Sequence, residues 1–299
     1  MKSFYILVIA TIFCFSCNNN TKTEAPSKDV AENTPDLTQK TPKATFLTET
    51  LGLTHCESAV YDSTNDVIYA SVIGNREPGD GSIATVGTDG KLLNVQFVSG
   101  LNDPKGIAIT KDKLYVSDVT ELVEADIKTG KVLNKYTVEG IEFLNDVAIA
   151  PDGAIYVSDT RTSKIYKLDT KGNFDFWLAD PKLDNPNGLL VQGDTMYVAS
   201  WGGAPEGGRV SKFDINNKKI EAVTEVIGNL DGIRPYDKNN LIISDWRSGK
   251  VHLMSYHDGT TQEVVQVGQS VGDIAYIKEK NLLLLPMNKQ SRLLFYELK

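Results

Sequence analysis

Residues 145–159 read NDVAIAPDGAIYVSD: a short apolar run, a Pro-Asp-Gly turn, a second apolar run rich in β-formers, and a polar stop. Pro fixes φ and Gly accepts positive φ, so PDG between two such runs predicts a tight β-hairpin. The pattern returns as ESAVYDSTNDVIYAS from Glu57, KGIAITKDKLYVSD from Lys105, NGLLVQGDTMYVAS from Asn187, DGIRPYDKNNLIISD from Asp231 and GDIAYIKEKNLLLLP from Gly272. Successive starts lie 48, 40, 42, 44 and 41 residues apart, enough for four strands each. Units of this size cannot bury their faces alone and close radially, which predicts an all-β, six-bladed β-propeller with four antiparallel strands per blade.

Third and fourth strands follow in most repeats, as in SKIYKLDT then FDFWLAD of the third. The last repeat ends one strand short, after SRLLFYELK, and ATFLTET at residues 44–50 is expected to supply the missing strand and close the ring. The propeller is therefore predicted to occupy residues 44–299. No window from residue 44 onward carries helical apolar spacing. Asp118, Asp159 and Asp245, at the ends of the YVSD-like strands, are expected to cap turns.

Ahead of this domain, residues 1–16 carry one cation, Lys2, and an apolar run over residues 4–15. That run is shorter than the ~20 residues a spanning helix needs, so it reads as an export signal. Phe15-Ser16-Cys17 resembles the lipobox of bacterial lipoproteins, with Cys14 where a leucine is usual. The resemblance implies removal of residues 1–16, acylation of Cys17, and an exported protein held at a bacterial membrane by its lipid anchor alone. Asn18, rather than an aspartate, after the anchor cysteine points toward the outer membrane. Residues 17–43 are polar, contain Pro and lack apolar periodicity, the composition of a disordered tether. With Cys17 acylated, Cys56 has no partner for an intramolecular disulfide and is expected to be a small buried apolar residue. A net charge of -8, with no basic run, excludes nucleic acid as a partner.

In a propeller the innermost strand of each blade starts at one rim of the central channel. The six repeats place Glu57, Lys105, Asn145, Asn187, Asp231 and Gly272 in equivalent positions facing that axis. Two carboxylates and two carboxamides converging there need a cation or water between them. Oxygen ligands without Cys or His suit a hard divalent cation, best Ca²⁺, with Zn²⁺ or Mn²⁺ as alternatives. Lys105 at the same phase leaves two other arrangements open: its ammonium neutralises the carboxylates in place of metal or stabilises an oxyanion beside the ion. A register offset of one residue would instead turn it away.

Glu57 in CESAVYD, Asn145 in FLNDVAIAPDG, Asn187 in NPNGLLV and Asp231 in LDGI resemble the metal-binding positions of the SMP-30/gluconolactonase/LRE family of six-bladed propellers. The resemblance covers residues 44–299, and all four motifs occur in order and in repeat phase. It implies Glu57, Asn187 and Asp231 as ligands of a divalent cation, and Asn145 as a fourth ligand or substrate-facing amide. It further implies lactone opening, with Asp231 the candidate base, although ligation of a cation opposes basicity. Sugar-lactonase members often carry an arginine two places before the residue matching Asn145. This chain has Phe143 there, so a more apolar lactone or related ester is the expected small-molecule substrate, with Lys105 and Phe143 facing it.

A non-enzymatic propeller of the NHL type, binding a peptide, glycan or partner protein at its rim, is the competing expectation. His55 reads as a structural histidine, and His252 and His257 are expected to be exposed beside a turn. Their spacing gives no zinc motif. Trp201 and Trp246 occupy equivalent places, suited either to a pocket mouth or to packing between blades. The loop at residues 202–208, GGAPEGG, is flexible enough to cover the rim. No GxSxG motif supports a serine nucleophile.

Overall fold

Burial falls off along each repeat: the first strand is dry nearly end to end, whereas the last exposes most of its residues, as in Val132–Tyr136 and Phe174–Ala179. Strands with that gradient stack outward from an axis. The computed structural model describes residues 41–299; the expected signal peptide, the acylated Cys17 and the tether as far as residue 40 lie outside the described residues. Six four-stranded antiparallel sheets form the blades of a six-bladed β-propeller. Their innermost strands are Cys56–Asp62, Pro104–Ile109, Leu144–Ile149, Pro186–Gln192, Leu230–Pro235 and Ala275–Ile277, for blades 1 to 6.

The chain ends close the ring as expected. Ala44–Leu51 pairs antiparallel with Arg292–Leu298 as the outermost strand of blade 6. The backbone of Lys43 exchanges hydrogen bonds of 2.6 and 3.1 Å with Lys299, so pairing begins one residue before the predicted boundary. Joining the two ends in one sheet leaves no unpaired seam between first and last blades.

Each blade-to-blade seam holds its own apolar layer. Blades 3 and 4, for example, pack Tyr156 and Ile165 against Leu189, Met196 and Phe213. Blades 6 and 1 pack Leu284 and Phe295 against Ile68 and Ala84. At about 1.5–3 kcal/mol for each fully buried large side chain, these layers are the main source of stability.

The opening hairpin shows how the repeat aims a side chain at the axis. Gly153, at φ +90°, closes the turn by donating to Ala150 O, and Asp152 Oδ1 accepts from Ala154 N. Val147, Ala148 and Ile149 then pair with Val157, Tyr156 and Ile155, but between Leu144 and Val147 the register slips. The same slip follows the first residue of the innermost strand in blades 1, 2 and 5. Such a bulge re-aims side chains and frees an N–H from the ladder. The repeated serine of the second strand takes up that group: Ser158 Oγ accepts from Asp146 N at 2.9 Å and donates to Asn187 O of blade 4 at 2.7 Å. Ser244 likewise accepts from Gly232 N and donates to Gly272 O of blade 6, and Ser117 donates to Asn145 O. The serine of one blade thus holds the axial residue of the next.

His252 departs from expectation. It lies inside the strand Lys250–Ser255, paired with Ile243 and Glu263, and is buried, because the turn comes after Ser255 rather than beside it.

Candidate functional site

The axial positions converge on one cavity of about 380 Å³, whose floor carries Glu57, Asn145, Asn187 and Asp231. All four are buried. Gly272 keeps the equivalent position in blade 6 without a side chain, because a Cβ there would lie 2.1 Å from Glu57 O. Asn145 Nδ2 donates to Thr160 Oγ1 and Asn187 Nδ2 to Leu230 O, each at 3.1 Å, so one N–H of each amide is committed to a protein acceptor. Glu57 Oε2 and Asn187 Oδ1 are buried acceptors with no hydrogen-bond donor.

The carboxyls respond to that environment. Glu57 is pushed up from 4.5 to about 7, by burial first, with Lys105 pulling it down and Asp103 and Asp146 adding to the rise. Asp231 is raised well above the usual carboxylate range by burial, then by the charges of Glu57, Asp273 and Asp146, against a hydrogen bond from Asn187. Two buried carboxylates, together with the undonated oxygens of Glu57 and Asn187, leave a site short of positive charge, which a divalent cation fits. Among the described residues no three His, Cys, Asp or Glu side chains converge as ligands. The donor set is two carboxylates with two carboxamides.

Lys105 lines this cavity and is buried, which places it on the axial side. Its ammonium, however, sits 2.7 Å from Asp103 Oδ1 and 3.3 Å from Asp103 O. The lysine is therefore paired with Asp103; its charge still draws the Glu57 carboxyl down, without offsetting the rise that burial causes. Phe143 also lines the cavity, with Lys105 Nζ 4.7 Å and the Arg161 guanidinium 5.0 Å from its ring centre. The capping aspartates set these neighbours in place: Asp118 accepts from Asn102 N and Asp103 N, and Asp159 from Glu142 N and Phe143 N.

Below the floor a second axial layer was missed by sequence reasoning. Arg234 reaches Asp273 Oδ2 at 2.5 Å and Asp146 Oδ2 at 3.5 Å. Blades 3 and 6 face one another across the ring, so this guanidinium lies between opposite sides of the channel. A signal for the aspartates was present: both follow an axial residue directly, in Asn145-Asp146 and Gly272-Asp273.

The mouth is built from another repeat position, the residue after the YVSD-type strand end. Ile73, Thr160, Trp201, Trp246 and Asn288 all occupy it and all line the cavity. Trp201 and Trp246 therefore do both of the things expected of them, lining the mouth and packing edge to face across blades 4 and 5 at 5.6 Å. The loop at residues 202–208 folds back on itself through Gly207 N to Ala204 O and contributes no lining residue. Cys56 is fully buried and its thiol is pushed up by burial, so it is no nucleophile. His55 does not line the cavity.

No protein-family profile and no curated protein sequence matches this chain. Solved structures do match in fold. A structural-genomics target named for a gluconolactonase superposes with a TM-score of 0.67 at 18% identity, over 86% of this chain and 92% of its own. A gluconolactonase from Xanthomonas campestris gives 0.65 at 18% identity, over 86% and 90%. Virginiamycin B lyase from Staphylococcus aureus, an inactive variant with quinupristin, gives 0.62 at 10% identity, over 86% and 100%. At these identities the likeness concerns the fold.

Proposed function

We propose that this chain is a divalent-cation-dependent hydrolase of a lactone or related ester, with Ca²⁺ the best-suited ion. The observation that carries the reading is the floor: the buried carboxyls of Glu57 and Asp231, both with raised pKa values, and two buried oxygens, Glu57 Oε2 and Asn187 Oδ1, that no donor in the protein reaches. Glu57, Asn145, Asn187 and Asp231 would hold the ion. Bound there, such an ion polarises a carbonyl and makes water more acidic. The chain's own residues do the rest. Asp231 is the candidate proton acceptor: burial and the neighbouring charge of Glu57 raise its basicity in the metal-free fold, and ligation of the cation works against that rise. Arg234, paired with Asp146 and Asp273, supplies fixed positive charge on the axis next to the floor residues. The gluconolactonase names of two fold neighbours support a lactone as the substrate class.

Calorimetric titration with Ca²⁺, Zn²⁺ and Mn²⁺, alongside a panel of lactones and esters, tests this. Saturable binding lost in Glu57→Gln and Asp231→Asn, with turnover lost in Asp231→Asn, is expected. A metal-loaded protein inert toward the whole panel would favour the rim-binding propeller instead. We further propose that the protein is exported and anchored through Cys17. Mass spectrometry of the membrane fraction should find a diacylated or triacylated N-terminal Cys17, and an unmodified soluble chain would refute the anchor.

A further inference from the structure

The charge of the cavity is divided by blade. Of the residues that line it, the acidic ones are the floor pair Glu57 and Asp231, which the proposed divalent cation would balance. The basic ones are Arg76, Lys105 and Arg161, from blades 1, 2 and 3. A single carboxylate, Asp103, serves two of these: Arg76 Nη1 at 3.3 Å and Lys105 Nζ at 2.7 Å. Arg161 is exposed over the ring of Phe143 and has no carboxylate partner among the described residues. With the floor neutralised, this side of the cavity keeps an excess of positive charge on a chain whose net charge is -8. The facing side, from blades 4 and 5, is the Trp201–Trp246 pair; Arg247 at 5.9 Å from the Trp201 ring centre and Lys289 at 4.7 Å from that of Trp246 lie over these rings without lining the cavity.

A concave wall of one sign concentrates the opposite charge, and a guanidinium stacked on an aromatic ring keeps its N–H fork free for a planar anion. We propose that the substrate of this cavity is an anion: a lactone or ester with a carboxylate arm, bound by Arg161 with Lys105 and Arg76 on the same side of the cavity, and an apolar body against Trp201 and Trp246. This names the substrate class of the hydrolase reading and rests on it for the word substrate and for the cation that neutralises the floor; the contacts to the anion come from the wall residues.

The test is binding rather than turnover. The purified Ca²⁺-loaded chain is titrated calorimetrically with 3-phenylpropionate, its neutral amide 3-phenylpropanamide, and acetate, in wild type, Arg161→Gln and Arg76→Gln. The acid should bind about tenfold tighter than the amide, as one charge-assisted contact allows, and the acid-to-amide ratio should collapse in Arg161→Gln and shrink in Arg76→Gln. The preference should also weaken with added salt. Equal binding of acid and amide overturns the anion site. So does acid binding that Arg161→Gln leaves unchanged, because the carboxylate would then be held by the cation. Acetate binding as tightly as 3-phenylpropionate overturns the apolar half. If the ratio behaves as stated while no lactone or ester is hydrolysed, the hydrolase reading falls and the anion site remains.

Discussion

Glu57 gives a prediction whose sign and size both come from its burial. In the metal-free fold its carboxyl titrates near 7 instead of 4.5. An acid whose folded pKa is raised binds its proton more tightly in the fold than in the unfolded chain. Its contribution is therefore complete below about pH 4.5 and is lost as the pH rises through about 7. The displacement corresponds to about 3 kcal/mol, at ~1.4 kcal/mol per pH unit. Asp231 acts in the same direction, since its carboxyl is also raised. For a domain of this size a loss of that order lowers Tm by roughly 6–12 °C. The assay is thermal unfolding followed by circular dichroism between pH 5 and 8, in chelator and then in excess Ca²⁺. In chelator the wild type should lose stability with rising pH relative to Glu57→Gln, which removes the titrating group but keeps the shape. Excess Ca²⁺ should reverse the loss by pairing the ionised carboxylates. Parallel pH profiles for wild type and Glu57→Gln in chelator would refute the reasoning.

Other outcomes follow from named contacts. Arg234→Met should destabilise the domain by about 3–5 kcal/mol in denaturant unfolding, because it strands Asp146 and Asp273 as buried unpaired charges. Adding Asp146→Asn and Asp273→Asn to it should recover part of the loss. Ser158→Ala should cost about 1–3 kcal/mol, since it leaves Asp146 N and Asn187 O without their shared partner. The same variant should weaken Ca²⁺ binding about tenfold in calorimetry, because Ser158 holds the backbone of Asn187. Cys56 should resist iodoacetamide in the native protein and react only after unfolding, as peptide mapping would show, because its thiol is buried and hard to ionise.

The hairpin at residues 145–159 carried most of the fold, because alternation, turn chemistry and a period near forty residues are local properties that the chain repeats. The same periodicity put Glu57, Asn145, Asn187 and Asp231 on one axis, since equivalent residues of equivalent strands face the same way once the ring closes. It also held the mouth ring, Ile73, Thr160, Trp201, Trp246 and Asn288, although only the two tryptophans stood out as a pair. What the period could not supply was the destination of long charged side chains. Lys105 has the phase of a ligand, yet its ammonium goes to Asp103, a loop residue held by Asp118. Arg161 follows an ordinary strand end and comes to rest over Phe143. Arg234 crosses the channel to aspartates of two other blades. By itself, then, the sequence determined the blades, their closure through residues 44–50 and the axial oxygens, all fixed by backbone position. Tertiary structure alone decided which charges meet, because each flexible cation chooses among acceptors that only the closed ring brings within a few ångströms.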